Sequence, residues 1–128
     1  MKSVRIAIIL LILILIFSLS ESFLVTAHLK RMFRSAAALP SEPYVYETDH
    51  ESYKESIEAL RRLWEKGFPY LTYVSGYSAL NRADEAVVTL CVAYDCKNYD
   101  DSILARAQLL DALRRLLELE RVSLSSVF

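Results

Sequence analysis

Ile6-Ala-Ile-Ile-Leu-Leu-Ile-Leu-Ile-Leu-Ile-Phe17 (IAIILLILILIF) is a run of twelve apolar residues with Lys2 and Arg5 in front of it. As a helix it would cover only about 18 Å, and a bilayer core of about 30 Å needs roughly 20 apolar residues. The run therefore has to recruit neighbours. Ser18, Leu19 and Ser20 extend it, and Glu21 stops it. With Glu21 at the interface, Val4–Ser20 spans a locally thinned bilayer and Phe23–Val25 lie among the headgroups. A cleaved signal peptide is the alternative. Lys2 and Arg5 would form its n-region, with small residues for cleavage at Ser18 and Ser20, or more weakly at Val25 and Ala27. Against cleavage, nothing breaks the helical pattern before Pro40. The expectation is an uncleaved anchor over residues 1–20. A core helix of a soluble protein is the least favoured reading, because few soluble helices are apolar all round.

Outward from the anchor, a juxtamembrane helix is expected over residues 21–39, ending in Ala36-Ala37-Ala38. Residues 40–47 carry two prolines and read as a linker. Residues 48–128 read as a three-helix bundle. Its first helix opens at Thr48, which with Glu51 fits a capping box. A stripe of Tyr53, Ile57, Leu60, Leu63 and Trp64 follows at helical spacing. The stripe stays in phase through Gly67 and Pro69 to Leu71 and Val74, so one kinked helix is expected, with a stop at Gly67 and a β-like run over 70–77 as the alternative. A turn over Gly76–Leu80 leads to a second helix capped by Asn81, with Ala83, Val87, Leu90 and Tyr94 facing inward. The last helix starts near Asp100 and buries Ile103, Ala107, Leu110, Leu113, Leu116 and Leu117. The end at Val127-Phe128 is apolar enough to dock. The fold class is all-α: a long N-terminal transmembrane helix followed by a small antiparallel helical bundle. Ile57–Glu65 (IEALRRLWE) and Leu110–Glu118 (LDALRRLLE) echo each other. Ordinary amphipathic helix with Glu58–Arg62 and Asp111–Arg115 pairs accounts for this, and a duplicated hairpin is the alternative.

Composition narrows the function classes. All 16 acidic residues and 13 of the 15 basic ones lie beyond residue 20, which leaves that part mildly acidic. Nucleic-acid binding, which wants a basic face, is not expected. Lys2 and Arg5 nearly balance Lys30, Arg31 and Arg34 across the span. A short N-terminal segment flanked closely by charge usually stays inside, so the bundle is expected outside the cytoplasm of a single-pass cell-membrane protein. Cys91 and Cys96 would point about 140° apart on one helix, which suits neither a disulfide nor a shared metal, and both read as small buried hydrophobes.

No constellation for catalysis stands out. A phosphate loop, a His-Glu-x-x-His, a Cys-x-x-Cys and a nucleophile elbow are all missing from the sequence. No enzyme activity, cofactor or metal is expected. His28 reads as a partner-facing or snorkelling residue near the membrane. His50, between Asp49 and Glu51, reads as part of a helix start rather than a metal ligand. Tyr70, Tyr73 and Tyr77 share one helical face, as core margin or as an aromatic strip for a partner. With Arg31 and Arg34 they are the candidate contacts for a protein partner at the membrane. The expected function is a membrane-anchored helical interaction module, accessory to a larger membrane protein. The alternative is an extracytoplasmic sensory or ligand-binding domain using the tyrosine strip.

The basic start, the apolar run ending Ile-Phe-Ser-Leu at Ile16–Leu19, Trp64-Glu-Lys66 and the final helix leading into Glu120–Phe128 resemble an uncharacterised domain-of-unknown-function family. Its members are small single-pass membrane proteins of Gram-positive spore-forming bacteria. The stretches Leu39–Glu47 and Gly67–Pro69 depart from that pattern. The resemblance implies an anchored helical bundle and no activity.

Overall fold

The computed structural model describes residues 2–74 and 77–127, without the side chains at 21, 22, 69–74, 77, 120 and 122–127. Five helices follow in chain order: α1 (Lys2–Ala37), α2 (Pro43–Thr48), α3 (His50–Val74), α4 (Tyr77–Asp95) and α5 (Tyr99–Val127). The chain is all-α, with no strand among the described residues.

α1 is one helix of 36 residues with two different halves. Every Ile, Leu and Phe from Ile6 to Phe17 is between 43% and 64% exposed, on all sides of the helix. From Val25 onward only one face is covered, and there it is covered completely: Val25, Leu29, Met32 and Ala36 are at most 4% exposed. The spacing of four, three and four residues is that of a stripe packed against neighbours. α1 therefore belongs to the bundle. The three helices expected after residue 48 pack with a fourth, and residues 25–39 share one core with Ile57, Leu60, Trp64, Leu90, Leu109 and Leu113. Amphipathicity was visible in residues 21–39, but a short apolar stripe beside a membrane reads equally well as interfacial helix.

Residues 40–47 are not a loose connection. Pro43 starts α2, where its missing N–H is no loss. Tyr46 is fully buried and its hydroxyl donates to the Pro40 carbonyl at 2.6 Å. α2 stops at Asp49, whose backbone leaves the helical region. The Thr48 hydroxyl donates to the Val45 carbonyl at 2.7 Å, so it closes α2 rather than capping α3. α3 begins at His50 and runs through Gly67 and Pro69 to Val74 as one helix, so the β-like alternative for residues 70–74 is ruled out.

α4 begins four residues before the expected cap at Asn81. Ala79 and Leu80, expected in a turn, continue the buried stripe of Ala83, Ala86, Val87 and Leu90. It ends in a tight reversal. The Asn98 N–H bonds the Ala93 carbonyl (2.8 Å) and the Lys97 N–H bonds the Tyr94 carbonyl (3.0 Å), with Lys97 at φ 58°. This is the Schellman pattern with lysine in the left-handed position that glycine usually fills. Asn98 then caps α5, its side-chain oxygen accepting from the Asp101 N–H at 3.2 Å. Asp100 and Asp101 suit the positive end of that helix.

The buried face of α5 meets expectation at Leu113 and Leu116 and differs elsewhere. Ser102, Ala105, Leu109, Ala112, Leu113 and Leu116 are buried, Ala107 is exposed, and Ile103, Leu110 and Leu117 are half-buried. α5 is apolar on so many sides that hydropathy leaves its rotation open. Size decides it: Ser102, Ala105 and Ala112 are buried, as are Ala79, Ala83, Ala86 and Ala93 on α4, and small residues let two helices approach closely. The echo between α3 and α5 is only partly repeated in burial. The equivalent Leu60 and Leu113 are both buried, but the buried Ile57 and Trp64 correspond to the half-buried Leu110 and Leu117. The pairing on α3 differs too, since Glu58 is bridged by Arg61 (3.6 Å) and not by Arg62, while Asp111–Arg115 forms as expected (3.2 Å).

Candidate functional site

Lys30, Arg31 and Arg34 are exposed on α1, two to four turns from the apolar half. Among the described residues Arg31 and Arg34 form no ion pair. On the same turns, inside the bundle, His28 is half-buried. Its ring fills the space beside Gly67 of α3: a β-carbon on that glycine would collide with Nε2. Nε2 has no hydrogen-bond partner among the described residues, nor has the hydroxyl of Thr26. Burial, helped by the Arg31 guanidinium, lowers the His28 pKa below 6.5. The imidazole is thus a packing group between α1 and α3, not the partner-facing or snorkelling residue expected from its position near the membrane.

At the opposite end of the bundle five aromatic rings meet. Tyr46 of α2 lies edge-on to Tyr53 (5.3 Å between centroids) and Tyr94 (5.6 Å) and parallel to Tyr99 (6.0 Å). His50 stacks on Tyr94 at 4.6 Å with the planes 1° apart. Three of the four tyrosine hydroxyls, those of Tyr46, Tyr94 and Tyr99, have polar partners. Tyr94 donates to the His50 carbonyl (2.6 Å), and Tyr99 Oη lies 3.0 Å from His50 Nδ1. Burial pushes the Tyr46 hydroxyl up to about 12, against the influence of Arg106, and raises that of Tyr94. Both remain protonated donors at neutral pH. His50 is therefore a member of an aromatic knot joining α2, α3, α4 and α5, and not simply part of a helix start. Sequence alone hides this because Tyr46 lies in an apparent linker. The one local signal was Pro43 ahead of Tyr44-Val45-Tyr46, a good helix start.

Two further contacts tie the helices together. Arg106 of α5 donates through Nε to the Ala36 carbonyl (3.1 Å) and through a terminal nitrogen to the Ala37 carbonyl (3.2 Å). It adds to the hydrogen bonding of the last carbonyls of α1, of which that of Ala36 also accepts from the Leu39 N–H at 3.2 Å. Trp64, 1% exposed, donates from Nε1 to Asp84 Oδ1 at 2.9 Å, which makes it the core anchor expected from the sequence. Neither Arg106 nor Asp84 carries any local signal for its partner, 70 and 20 residues away.

Cys96 is exposed and only Cys91 is half-buried, which corrects the expectation that both are core residues. Burial raises the Cys91 thiol pKa. Among the described residues no three His, Cys, Asp or Glu side chains gather into a metal-binding group. Tyr70 and Tyr73 lie on α3 and Tyr77 opens α4, so the three do not share the face of one helix; their side chains lie outside the described residues, as does the docking expected of Val127-Phe128. Of the candidate contacts, Arg31 and Arg34 are accessible on the outer surface of α1. Compared with protein-family models, with curated proteins and with solved structures, the chain matches none.

Proposed function

We propose that this is a single-pass membrane protein, anchored by Val4–Ser20 of α1, that acts by binding another protein at the membrane surface. The observation that carries the reading is the change in exposure along one unbroken helix. α1 is long and apolar enough to cross a bilayer, and its first half is bare on every side while its second half is a core element of the bundle. A bare apolar rod of this size in water would associate at once, so a bilayer is the environment that suits it. The continuity of α1 past both cleavage positions supports retention of the anchor, and the charges beside the amino terminus favour a bundle outside the cytoplasm. The resemblance to small single-pass proteins of spore-formers fits the same architecture.

The exposed edge of Lys30, Arg31 and Arg34 is rigidly placed by α1 near the membrane, where a neighbouring membrane protein with an acidic face could reach it. Crosslinking of the full-length protein in intact cells tests this. A specific adduct that weakens on charge reversal of Arg31 and Arg34, with the melting temperature unchanged, is the expected outcome. No specific adduct, together with small-molecule binding by the full-length protein, would replace this reading with the sensory one.

A further inference from the structure

The far end of the bundle carries the aromatic knot. Its near end, where α3 passes into α4 and α5 finishes, carries almost no charge. From Gly67 to Asn81 there is no Asp, Glu, Lys or Arg, and there is none after Arg121. The first of these runs is as long as the uncharged run of the anchor itself, residues 6–20.

Two contacts fix the level of that end against α1. Gly67 of α3 lies beside His28. Tyr53 packs on Tyr46, which bonds Pro40, so α3 runs antiparallel to α1 at the same pace. Seven residues beyond Gly67, about 10 Å on, α3 reaches Val74; seven residues before His28, α1 is at Glu21. The end of α3 and the start of α4 are thus level with the edge of the span. On α5, Arg106 holds the carbonyls of Ala36 and Ala37. Fifteen residues on is Arg121, and fifteen residues back from Ala36 is again Glu21, to within about the one turn that an arginine side chain can reach. The remaining helical residues 122–127 (VSLSSV) then extend past the edge of the span.

We infer that the bundle rests on the bilayer as well as hanging from it: the α3–α4 end, carrying Tyr70, Tyr73 and Tyr77, and the last turns of α5, Val122–Val127, enter the headgroup region. The inference rests on Val4–Ser20 being the membrane span. The occupant of this end is a lipid surface for three reasons. It is continuous with the apolar half of α1, where Phe23 and Leu24 are 74% and 66% exposed. The segments that enter, within residues 67–81 and 122–127, hold no charged residue, so entry carries no cost of burying an ion. This end brings three tyrosines to the depth where tyrosine is enriched in membrane proteins. Because no charge is involved, a zwitterionic lipid suffices. α1, α3 and α5 then touch the membrane together, and the bundle has a fixed attitude to it.

The test uses unmodified full-length protein in phosphatidylcholine nanodiscs, with a fraction of the lipid carrying a nitroxide near the top of its acyl chain. Backbone amide signals are compared with and without the nitroxide. The expected result is a several-fold loss of signal for residues 8–20, for residues 70–74 and 77–80, and for 122–127, with Asn98–Ser102 at the far end unaffected. Loss over residues 8–20 alone would leave the anchor standing and overturn the docked end, pointing to a protein partner or a second copy there. No loss over residues 8–20 would remove the anchor, and the docked end with it.

Discussion

At Gly67, where α1 and α3 meet, the imidazole of His28 occupies the space that a methyl group would need. Alanine favours a helix over glycine by about 1 kcal/mol, and overpacking costs about 1–3 kcal/mol. Gly67→Ala should therefore destabilise the protein in the native background. Combined with His28→Ala, which empties the space, the same substitution should cost nothing or stabilise; a double-mutant cycle on thermal or denaturant unfolding reads the difference. His28 also gives a pH dependence of defined sign. Its folded pKa is lowered, so the folded protein takes up this proton less readily than the unfolded chain. The contribution is fully present above 6.5 and is lost as the pH falls from there through the folded value. Between about pH 7.5 and about pH 5.5 the native protein should lose more stability than His28→Gln. Equal losses would show that the imidazole is not held neutral. Lys97 offers the opposite kind of change. A left-handed non-glycine residue carries about 1–2 kcal/mol of strain, so Lys97→Gly should stabilise by about 0.5–1 kcal/mol, read as a higher melting temperature. None of these three positions was legible beforehand. A glycine in a helix, a histidine near a membrane and a lysine in a turn have ordinary local explanations, and their meaning comes from residues far along the chain or from the backbone angle.

At the scale of helices, hydropathy periodicity was informative where one face is much more apolar than the other. α3 is such a case: Ile57, Leu60 and Trp64 are buried as their spacing implies, and the helix continues through Pro69. Proline inside a helix is worse than alanine by about 3 kcal/mol, so Pro69→Ala should be tolerated or stabilising, and a clear fall in melting temperature would show that proline is required there. α5 is the contrary case. With apolar residues on most sides, its rotation is set by the small residues against α4, a property of the pair that neither helix reveals alone. At the junction of α1 and α5 a single side chain supplies two hydrogen bonds beside the shared core. Replacing Arg106 by Met keeps much of its stem and removes both hydrogen bonds to the last carbonyls of α1. Loss of hydrogen bonds from a charged donor, together with its favourable position at a helix C-terminus, should cost about 1–3 kcal/mol. Amide exchange should accelerate first over residues 34–39, since the end of α1 is then less firmly tied to α5; unchanged exchange there would mean that packing alone holds the junction.

For the molecule as a whole, the all-α architecture and the apolar N-terminal helix were legible because each depends on a long, strongly patterned stretch. The division of labour within α1 was not, because a stripe of Val25, Leu29, Met32 and Ala36 has the same spacing whether it faces headgroups or a core. The consequence is a sharp expectation about where the chain can be cut. A fragment starting at Tyr44 would lack Val25, Leu29, Met32, Ala36 and Leu39, all at most 4% exposed, and would uncover the faces of α3 and α5 that they cover. Removing one buried Leu or Met side chain typically costs about 2–5 kcal/mol, and whole domains are stable by only about 5–15 kcal/mol. Residues 44–128 should therefore lack a cooperative unfolding transition. Residues 23–128 retain every buried residue of α1 together with the carbonyls held by Arg106, and should unfold cooperatively, whether or not the apolar span is present. Circular dichroism melts of the two fragments, made side by side, check this. A cooperative melt of 44–128 matching that of 23–128 would mean that α1 lies against a bundle already complete without it, and the rigid connection from membrane to core would then have to be abandoned.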